Sequence, residues 1–433
     1  MNIYINKKIV IIGAGKTGLS CINFFRKKKI NVKIMDIRKN TEIKNRIPKG
    51  VIYQFGSLNN KWIMESNLIV LSPGVPIGTP IIQKALCKGI EIIGDIEIFC
   101  KEVKKPIIAI TGTNGKTTVT KIVGNIIKSS KLKVGIGGNI GKPALNLLYK
   151  KYDIYVLEIS SFQLETTKSL KATVAVVLNL QKNHIDRYNS FKQYCKSKLK
   201  IFSKAKICIF NKNEKKTWPK KFKNVHYKCF GIDSGEYRFD TKSKSFLISG
   251  KKFLDLHDLK LKGVHNYVNI LAAIAVADSI GIPTYISMKS VKKIKNISNR
   301  FQFIGKKMGA TWINDSKSTN ISSTLSAIKS IDSRSKIYLI LGGKNKSSGF
   351  SALKKVIEKK NVQLCCFGTD GIKFSKLKKN SFLCNSLEEC INFIRKRLNN
   401  GEIVLFSPAC SSFDQFENFA HRGNIFLKLY KSI

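Results

Sequence analysis

Eight consecutive residues, Thr111, Gly112, Thr113, Asn114, Gly115, Lys116, Thr117 and Thr118, have the types and spacing to grip a phosphate. The apolar run over 106–110 predicts a buried strand before them, and Val119, Ile122, Val123 and Ile126 predict a helix after them. A strand, a glycine turn and a helix N-terminus aim backbone N–H groups and a positive dipole end at an anion. Lys116 adds a point charge, and Thr117 offers a hydroxyl to Mg²⁺. The usual loop has another glycine five residues before Gly115, where this chain has Ile110. An ordinary capped Gly/Asn turn is the bland alternative. The conjunction of strand, loop and helix reads as an ATP site.

A second glycine loop lies near the N-terminus. Gly13, Gly15 and Gly18 follow a short apolar strand over 7–12, and residues 19–25 have helical character. A further strand over 32–35 ends in Asp36. This spacing is the dinucleotide fingerprint, and by itself it suggests NAD. The same turn holds the diphosphate of any nucleotide, so an enzyme with a separate ATP loop can use it for a nucleotide-tagged substrate. Gly74, after the strand 68–71, would let a ligand approach the backbone, although a simple turn explains it equally well.

Other polar residues fall where strands end. Glu158 closes a hydrophobic run, where an unpaired carboxylate is costly to bury and a bound Mg²⁺ would neutralise it. His184 follows the predicted strand 172–180, as a core or surface histidine or as a ligand or acid–base group. The glycine-rich stretch 133–141, around Asn139, reads as a flexible loop able to lie against a ligand. Residues 211–262 are lysine-rich with short strand-like pieces and show no chemistry. Asn266 and Asn269 project from the start of an alanine-rich helix reaching residue 280.

These groups need scaffolds to hold them. At 433 residues, 43% apolar, the chain exceeds one ordinary core and reads as a globular α/β protein. Strands alternate with helices in three α/β units, with boundaries near 94 and 297. No apolar run nears the ~18–20 residues needed to span a membrane, and no leader precedes the first strand. A cytoplasmic protein is expected, without a membrane partner. Eleven cysteines with no C-x-x-C argue for reduced, core-filling thiols. The net charge of +51 raises nucleic-acid binding as a possibility. The lysines are nevertheless spread over the whole length, and Lys, Ile and Asn all have A/T-rich codons. Compositional bias is the plainer account, and no specific nucleic-acid partner is expected.

Several stretches together resemble the Mur ligases of bacterial cell-wall synthesis over nearly the whole chain. They are the loop 111–118, Gly-Asp-Ile-Glu-Ile-Phe at 94–99, Leu-Glu-Ile-Ser-Ser-Phe-Gln-Leu at 157–164, Asn-Asp-Ser-Lys-Ser-Thr-Asn at 314–320, and Ser-Pro-Ala-Cys at 407–410 running through Asp414, Gln415 and Phe416. The loop alone would also fit folylpolyglutamate synthases. The others look like the branch of the family that adds D-glutamate.

The resemblance implies three α/β domains. They are a Rossmann-like UDP-substrate domain at 1–94, a central P-loop ATPase-like domain at 95–297 and a Rossmann-like amino-acid domain at 298–433. It implies ATP-dependent ligation of D-glutamate to UDP-N-acetylmuramoyl-L-alanine by a monomer with Mg²⁺. Thr17, Asp36, Arg38, Gly74 and Asn139 would contact the UDP substrate, replacing the NAD reading. Asn269, Arg300 and Asp315 would join Gly112–Thr118 around ATP. Lys317, Thr319, Lys346, Ser412 and Phe419 would surround D-glutamate. Thr117, Glu158, His184 and Lys198, the last as a carbamate, would serve the metal, with Lys116, His184 and Lys198 catalytic. A carbamate makes chemical sense because an ammonium cannot ligate Mg²⁺, whereas its CO₂ adduct is an anionic oxygen donor. Two positions depart from the family: Asn183, where an acidic residue is frequent, and Asn299, where a histidine is common.

Overall fold

Apolar runs of four or five residues become the inner strands. Ile9–Ile12, Leu68–Leu71, Ile107–Thr111 and Val174–Val177 are buried at every position. Continuous burial, without alternation, is what parallel strands show when helices cover both faces. The computed structural model describes residues 3–433 apart from 40, 184–186, 262, 295–297, 332–333 and 345–349. Two units emerge. One comprises Met1–Leu180, Lys192–Asp258 and Val268–Lys292; the other comprises Gln181–Phe191, Leu259–Tyr267 and Lys293–Ile433.

The first unit carries two sheets. The N-terminal one is wholly parallel, in the order Ile52–Phe55, Val32–Asp36, Ile9–Ile12, Leu68–Leu71, Glu91–Ile93. Its strand order reverses between Ile9–Ile12 and Leu68–Leu71, so the chain leaves both strands beside the crevice where such sheets bind ligands. The nine-stranded sheet has a parallel core in the order Val134–Gly138, Ile154–Glu158, Ile107–Thr111, Val174–Val177, Ile207–Asn211, His226–Ile232. Tyr237–Asp240, Ser245–Ile248 and Lys251–Asp255 extend it, pairing antiparallel with one another. The lysine-rich stretch is thus a β-meander on the sheet's edge.

Two sequence expectations change here. Residues 134–138 are the other edge strand, paired with Ile154–Glu158, and not a flexible loop. Their glycines answer to packing. A Cβ at Gly135 would meet the Tyr155 and Tyr152 rings at 2.8 and 2.9 Å, and one at Gly138 (φ +98°) would run into the Glu158 carbonyl. The predicted strand 172–180 is shorter, Val174–Val177; beyond it the Leu178 N–H still reaches the Thr111 carbonyl of the neighbouring strand, and the Asn179 carbonyl accepts from the Thr113 N–H of the phosphate loop.

The second unit holds a six-stranded sheet in the order Gln302–Lys307, Ala310–Asn314, Ile403–Phe406, Ile337–Gly342, Val362–Phe367, Phe382–Leu383. Only its first pair is antiparallel. Successive residues of each strand enter opposite cores. Ile313, Leu339, Leu341, Leu364 and Leu405 lie in one; Trp312, Tyr338, Ile340, Cys365 and Val404 lie in the other. Helix starts are set by short polar side chains. Asn320 accepts from the Ser323 N–H at the head of Ile321–Lys329, and Asn418 accepts from Ala420 and His421 at the head of Phe419–Ser432. Each cap is worth about 1 kcal/mol.

All eleven cysteines are free thiols. Among the described residues no helix is long and apolar enough to cross a membrane.

Candidate active site

The phosphate loop leaves the strand Ile107–Thr111 and enters the helix Lys116–Ser129. Gly115, at φ +82°, makes the turn at the helix's N-terminus. The Lys116 ammonium donates to the carbonyls of Gly112 and Thr113 at 2.8 and 2.9 Å. Thr117 is buried under the loop and donates its hydroxyl to Glu158 Oε2 at 2.8 Å. Asn139 donates its amide to the other carboxylate oxygen at 2.7 Å. Neighbouring parallel strands bring Glu158 to the loop, since Ile154–Glu158 pairs directly with Ile107–Thr111. Asn269 also belongs to this cluster: a Cβ at Gly115 would strike its side-chain oxygen.

Lys198 is 2% exposed, and its ammonium donates to the Thr111 hydroxyl at 3.3 Å. Burial, and then the nearby charge of Lys116, hold its pKa well below the usual lysine range, while Glu158 pulls the other way. Burial thus favours the neutral amine over the ammonium at this lysine, and the neutral amine is the form that reacts with CO₂. Tyr194 frames it, with its ring 5.1 Å from the Lys198 ammonium and its hydroxyl 3.0 Å from that of Thr113.

The donor set suits Mg²⁺. A hydroxyl and one buried carboxylate are all oxygen, and Mg²⁺ commonly takes only one or two carboxylates from protein while substrate phosphates and water complete its shell. Among the described residues no three His, Cys, Asp or Glu side chains converge as a metal cage. His184 lies outside the described residues, as does Lys346.

The N-terminal loop has a different construction. Asp36, predicted as a ligand contact, is 4% exposed and engaged by the protein itself. Its carboxylate accepts from the Ala14 N–H at 2.7 Å, from the Arg38 N–H at 2.9 Å, and from the Arg38 guanidinium at 2.9 and 2.6 Å. Burial alone would raise the Asp36 pKa, but the guanidinium and the two backbone donors prevail and hold it below the usual carboxylate range. Asp36 therefore braces Arg38, which is half exposed. Thr17 is half-buried in the first turn of the helix Lys16–Lys27, and Gly74 is exposed. A Cβ on Gly18 would enter the Gly13 carbonyl, so that glycine is needed for close packing, whereas one on Gly15 or Gly74 would meet nothing.

In the second unit, residues from three strand ends gather. Asp315 is buried, accepting from the Phe301 N–H at 3.0 Å and the Ser407 hydroxyl at 2.8 Å. Burial raises its pKa to about 7 against the lowering pull of Ser407, the Phe301 N–H, Arg300 and Arg422. The Lys317 ammonium sits 3.6 Å over the Phe419 ring. Thr319 is half-buried, and Ser412 is buried after the strand Ile403–Phe406.

Two residues here escaped sequence reasoning. Asn179 staples the phosphate loop, accepting from the Asn114 N–H at 2.8 Å and donating to its carbonyl at 3.1 Å; its own carbonyl accepts from the Thr113 N–H. Its only signal was a polar residue at a strand's end. Arg422 is 0% exposed and donates to the carbonyls of Ser316 at 2.8 Å and Cys410 at 3.0 Å. Burial pulls its pKa down to about 10. Nothing in the helical pattern distinguishes it from a solvated arginine.

Known proteins match this chain along most of its length. Three family models match in succession: the N-terminal domain of MurD-like Mur ligases over 7–94, the Mur ligase middle domain over 110–277, and the Mur ligase glutamate ligase domain over 299–410. A UDP-N-acetylmuramoylalanine--D-glutamate ligase of Buchnera aphidicola subsp. Schizaphis graminum is 47% identical, with 99% of each chain covered. The enzyme of that name from Photorhabdus laumondii is 45% identical, again over 99% of each. Among solved structures, UDP-N-acetylmuramate-alanine ligase MurC of Thermotoga maritima shares the fold with a TM-score of 0.64 at 20% identity, covering 99% of this chain and 100% of that one. With three successive domain models matched and full-length relatives above 40% identity, the chain belongs to the Mur ligase family.

Proposed function

We propose that this chain ligates D-glutamate to UDP-N-acetylmuramoyl-L-alanine, driven by ATP, as a step in making the peptidoglycan precursor. The observation that carries the reading is the gathering of Lys116, Thr117, Glu158 and Lys198 around one phosphate loop, in a chain 47% identical to a ligase of that name. Residues 1–94 take the UDP substrate through Thr17, Arg38 braced by Asp36, and Gly74. Residues 95–297 take ATP through the loop and Asn269. Residues 298–433 contribute Arg300 and Asp315 to the nucleotide and Lys317, Thr319, Lys346, Ser412 and Phe419 to D-glutamate. Asn139, expected at the UDP substrate, is bound to Glu158 and acts first as a brace for it.

A carboxylate does not acylate an amine unaided, because oxide is too poor a leaving group. ATP transfers its γ-phosphoryl group to the alanyl carboxylate, giving an acyl phosphate and ADP. The D-glutamate amine then attacks the carbonyl, and phosphate leaves through a tetrahedral intermediate. Lys116 and the loop N–H groups stabilise charge on the transferring phosphoryl group. Thr117, Glu158, His184 and a carbamylated Lys198 would hold Mg²⁺, which would supply further neutralisation of phosphate charge. His184 orients or deprotonates the nucleophile. The cationic and hydroxyl-bearing acceptor residues suit a dicarboxylate. The enzyme works in the cytoplasm as a monomer on small substrates.

The test is phosphate release from ATP with UDP-N-acetylmuramoyl-L-alanine and, in turn, D-glutamate, L-alanine or a diamino acid. Release and amide product with D-glutamate alone is expected. Equal release with another acceptor, or hydrolysis stimulated by polynucleotide without amide formation, overturns the reading.

Two predictions follow from the carboxylates. Asp36→Asn loses the charge that fixes Arg38, and the KM for the UDP substrate rises about tenfold with kcat little changed, a loss in keeping with a charge-assisted hydrogen bond; steady-state kinetics with that substrate varied check it. Asp315 is raised from its ordinary value to about 7 on folding. Between pH ~4 and ~7 the unfolded chain therefore holds fewer protons at this residue than the folded one, and its contribution to stability falls as pH rises, by on the order of 4 kcal/mol. Asp315→Asn removes that dependence, so thermal unfolding at pH 8 moves upward while the KM for ATP worsens.

A further inference from the structure

We infer that Asn299 is a positioning residue that couples the nucleotide contact at Arg300 to the acceptor contacts at Lys317 and Phe419, all within the second unit. The inference rests on the assignment of Arg300 to ATP and of Lys317 and Phe419 to D-glutamate.

The backbone around Arg300 is strained on both sides: Asn299 has φ +62° and Phe301 has φ +42°. Asparagine tolerates the left-handed region, but a bulky aromatic there is a true outlier, and such strain persists only where the surroundings over-determine it. They do so here. The Asn299 N–H donates to Gln302 Oε1 at 2.9 Å, and its carbonyl accepts from the Lys317 N–H at 3.0 Å. The Phe301 N–H donates to Asp315 at 3.0 Å. Arg300 is thus carried on a turn whose shape the protein dictates.

The side chain of Asn299 extends that control toward the acceptor side. It is buried, and its Oδ1 accepts from Asn314 Nδ2 at 3.0 Å. Asn314, also buried, uses the same nitrogen to donate to the Gly423 carbonyl at 3.0 Å, in the helix that begins with Phe419. Asn314 Oδ1 accepts from the Ser316 N–H at 3.1 Å, and the Ser316 hydroxyl donates to the Phe419 carbonyl at 2.8 Å. Arg422 closes the group by donating to the Ser316 hydroxyl and carbonyl at 3.2 and 2.8 Å. The fit is tight as well as hydrogen-bonded, since a Cβ on Gly423 would run into Asn299 Oδ1. Displacing the Asn299 amide therefore loosens the Arg300 turn, the Lys317 backbone and the Phe419 helix together. Buried groups sharing such a network show non-additive energies.

Asn299→Gly keeps the left-handed backbone and removes the amide; Gly423→Ala keeps the amide and forces it aside. In the full chain each is expected to raise the KM for ATP and for D-glutamate about five- to tenfold, the worth of a buried neutral hydrogen bond. The KM for UDP-N-acetylmuramoyl-L-alanine stays at the wild-type value, and kcat changes less than threefold. The double variant is expected to match Asn299→Gly alone and not the product of the two. A general loss of stability would spare no substrate and would lower kcat through the active fraction, so it does not imitate this pattern. Arg300→Ala and Phe419→Ala separate the two levels. Should they leave the KM values for ATP and D-glutamate unchanged, the underlying site assignment is wrong. If they raise them while Asn299→Gly moves neither or only one, or if the double variant is multiplicative, the coupling role is overturned. Where Asn299→Gly does not accumulate as folded protein, Gly423→Ala alone decides by the same KM criterion.

Discussion

Lys116→Ala lowers kcat for amide formation by on the order of 10³-fold. The lysine is the cation of the phosphate loop, and its ammonium already lies within 2.9 Å of two loop carbonyls. Phosphoryl transfer involves little covalent work by the protein. Positioned charge supplies most of the catalysis, and removing one group that meets the developing charge costs roughly 10²–10³-fold or more. The fold survives, because the loop is still held by Asn179 and the helix by its apolar face. The measurement is phosphate release with all three substrates, beside a thermal melt that matches wild type. A second consequence distinguishes this loss from a general defect. Lys116 is one of the groups that depress the Lys198 pKa, so its removal raises that pKa and shifts the bicarbonate dependence of residual activity to higher pH.

Lys198→Ala abolishes most activity as well, by about 10²-fold or more, through a different route. Lys198 is buried near Lys116 and Glu158, and burial disfavours its ammonium. In the proposed role, its neutral amine would add to CO₂ with loss of a proton, and the carbamate would bring an anionic oxygen donor beside the phosphate loop. Labelling with carbon-13 bicarbonate should produce a carbamate resonance in the wild-type enzyme that is absent from Lys198→Ala. Activity of wild type should fall when bicarbonate and CO₂ are rigorously removed and return when they are restored. A fully active enzyme without the resonance would show that the buried amine itself serves the reaction.

Much of the architecture could be read from short-range patterns. The strands Leu68–Leu71 and Ile403–Phe406 stand where the apolar runs put them, and the phosphate loop lies between strand and helix as its spacing requires. The glycine-rich stretch 133–141 misled, because glycine spacing alone does not separate a mobile loop from an edge strand packed against Tyr152 and Tyr155. Asp36 was legible as an acidic residue at a strand's end but not as a brace, since its partners Ala14 and Arg38 meet it only through the turn of the loop.

What the sequence by itself determined was the set of groups whose chemistry is local: the Gly112–Thr118 cradle, the buried runs that must become parallel strands, and the acidic residue at a strand's end. Backbone sterics and periodic burial act over a few residues, so neighbouring types suffice to specify them. Tertiary structure alone decided which distant side chains meet. Glu158 reaches Thr117 and Asn139 because two parallel strands lie side by side. Asn179 reaches Asn114, and Asn299 reaches Asn314, through sheet order and strained turns that no period in the chain encodes. A hydrogen bond depends on atoms within about 3 Å of each other, and that proximity is a property of the folded sheets and their register.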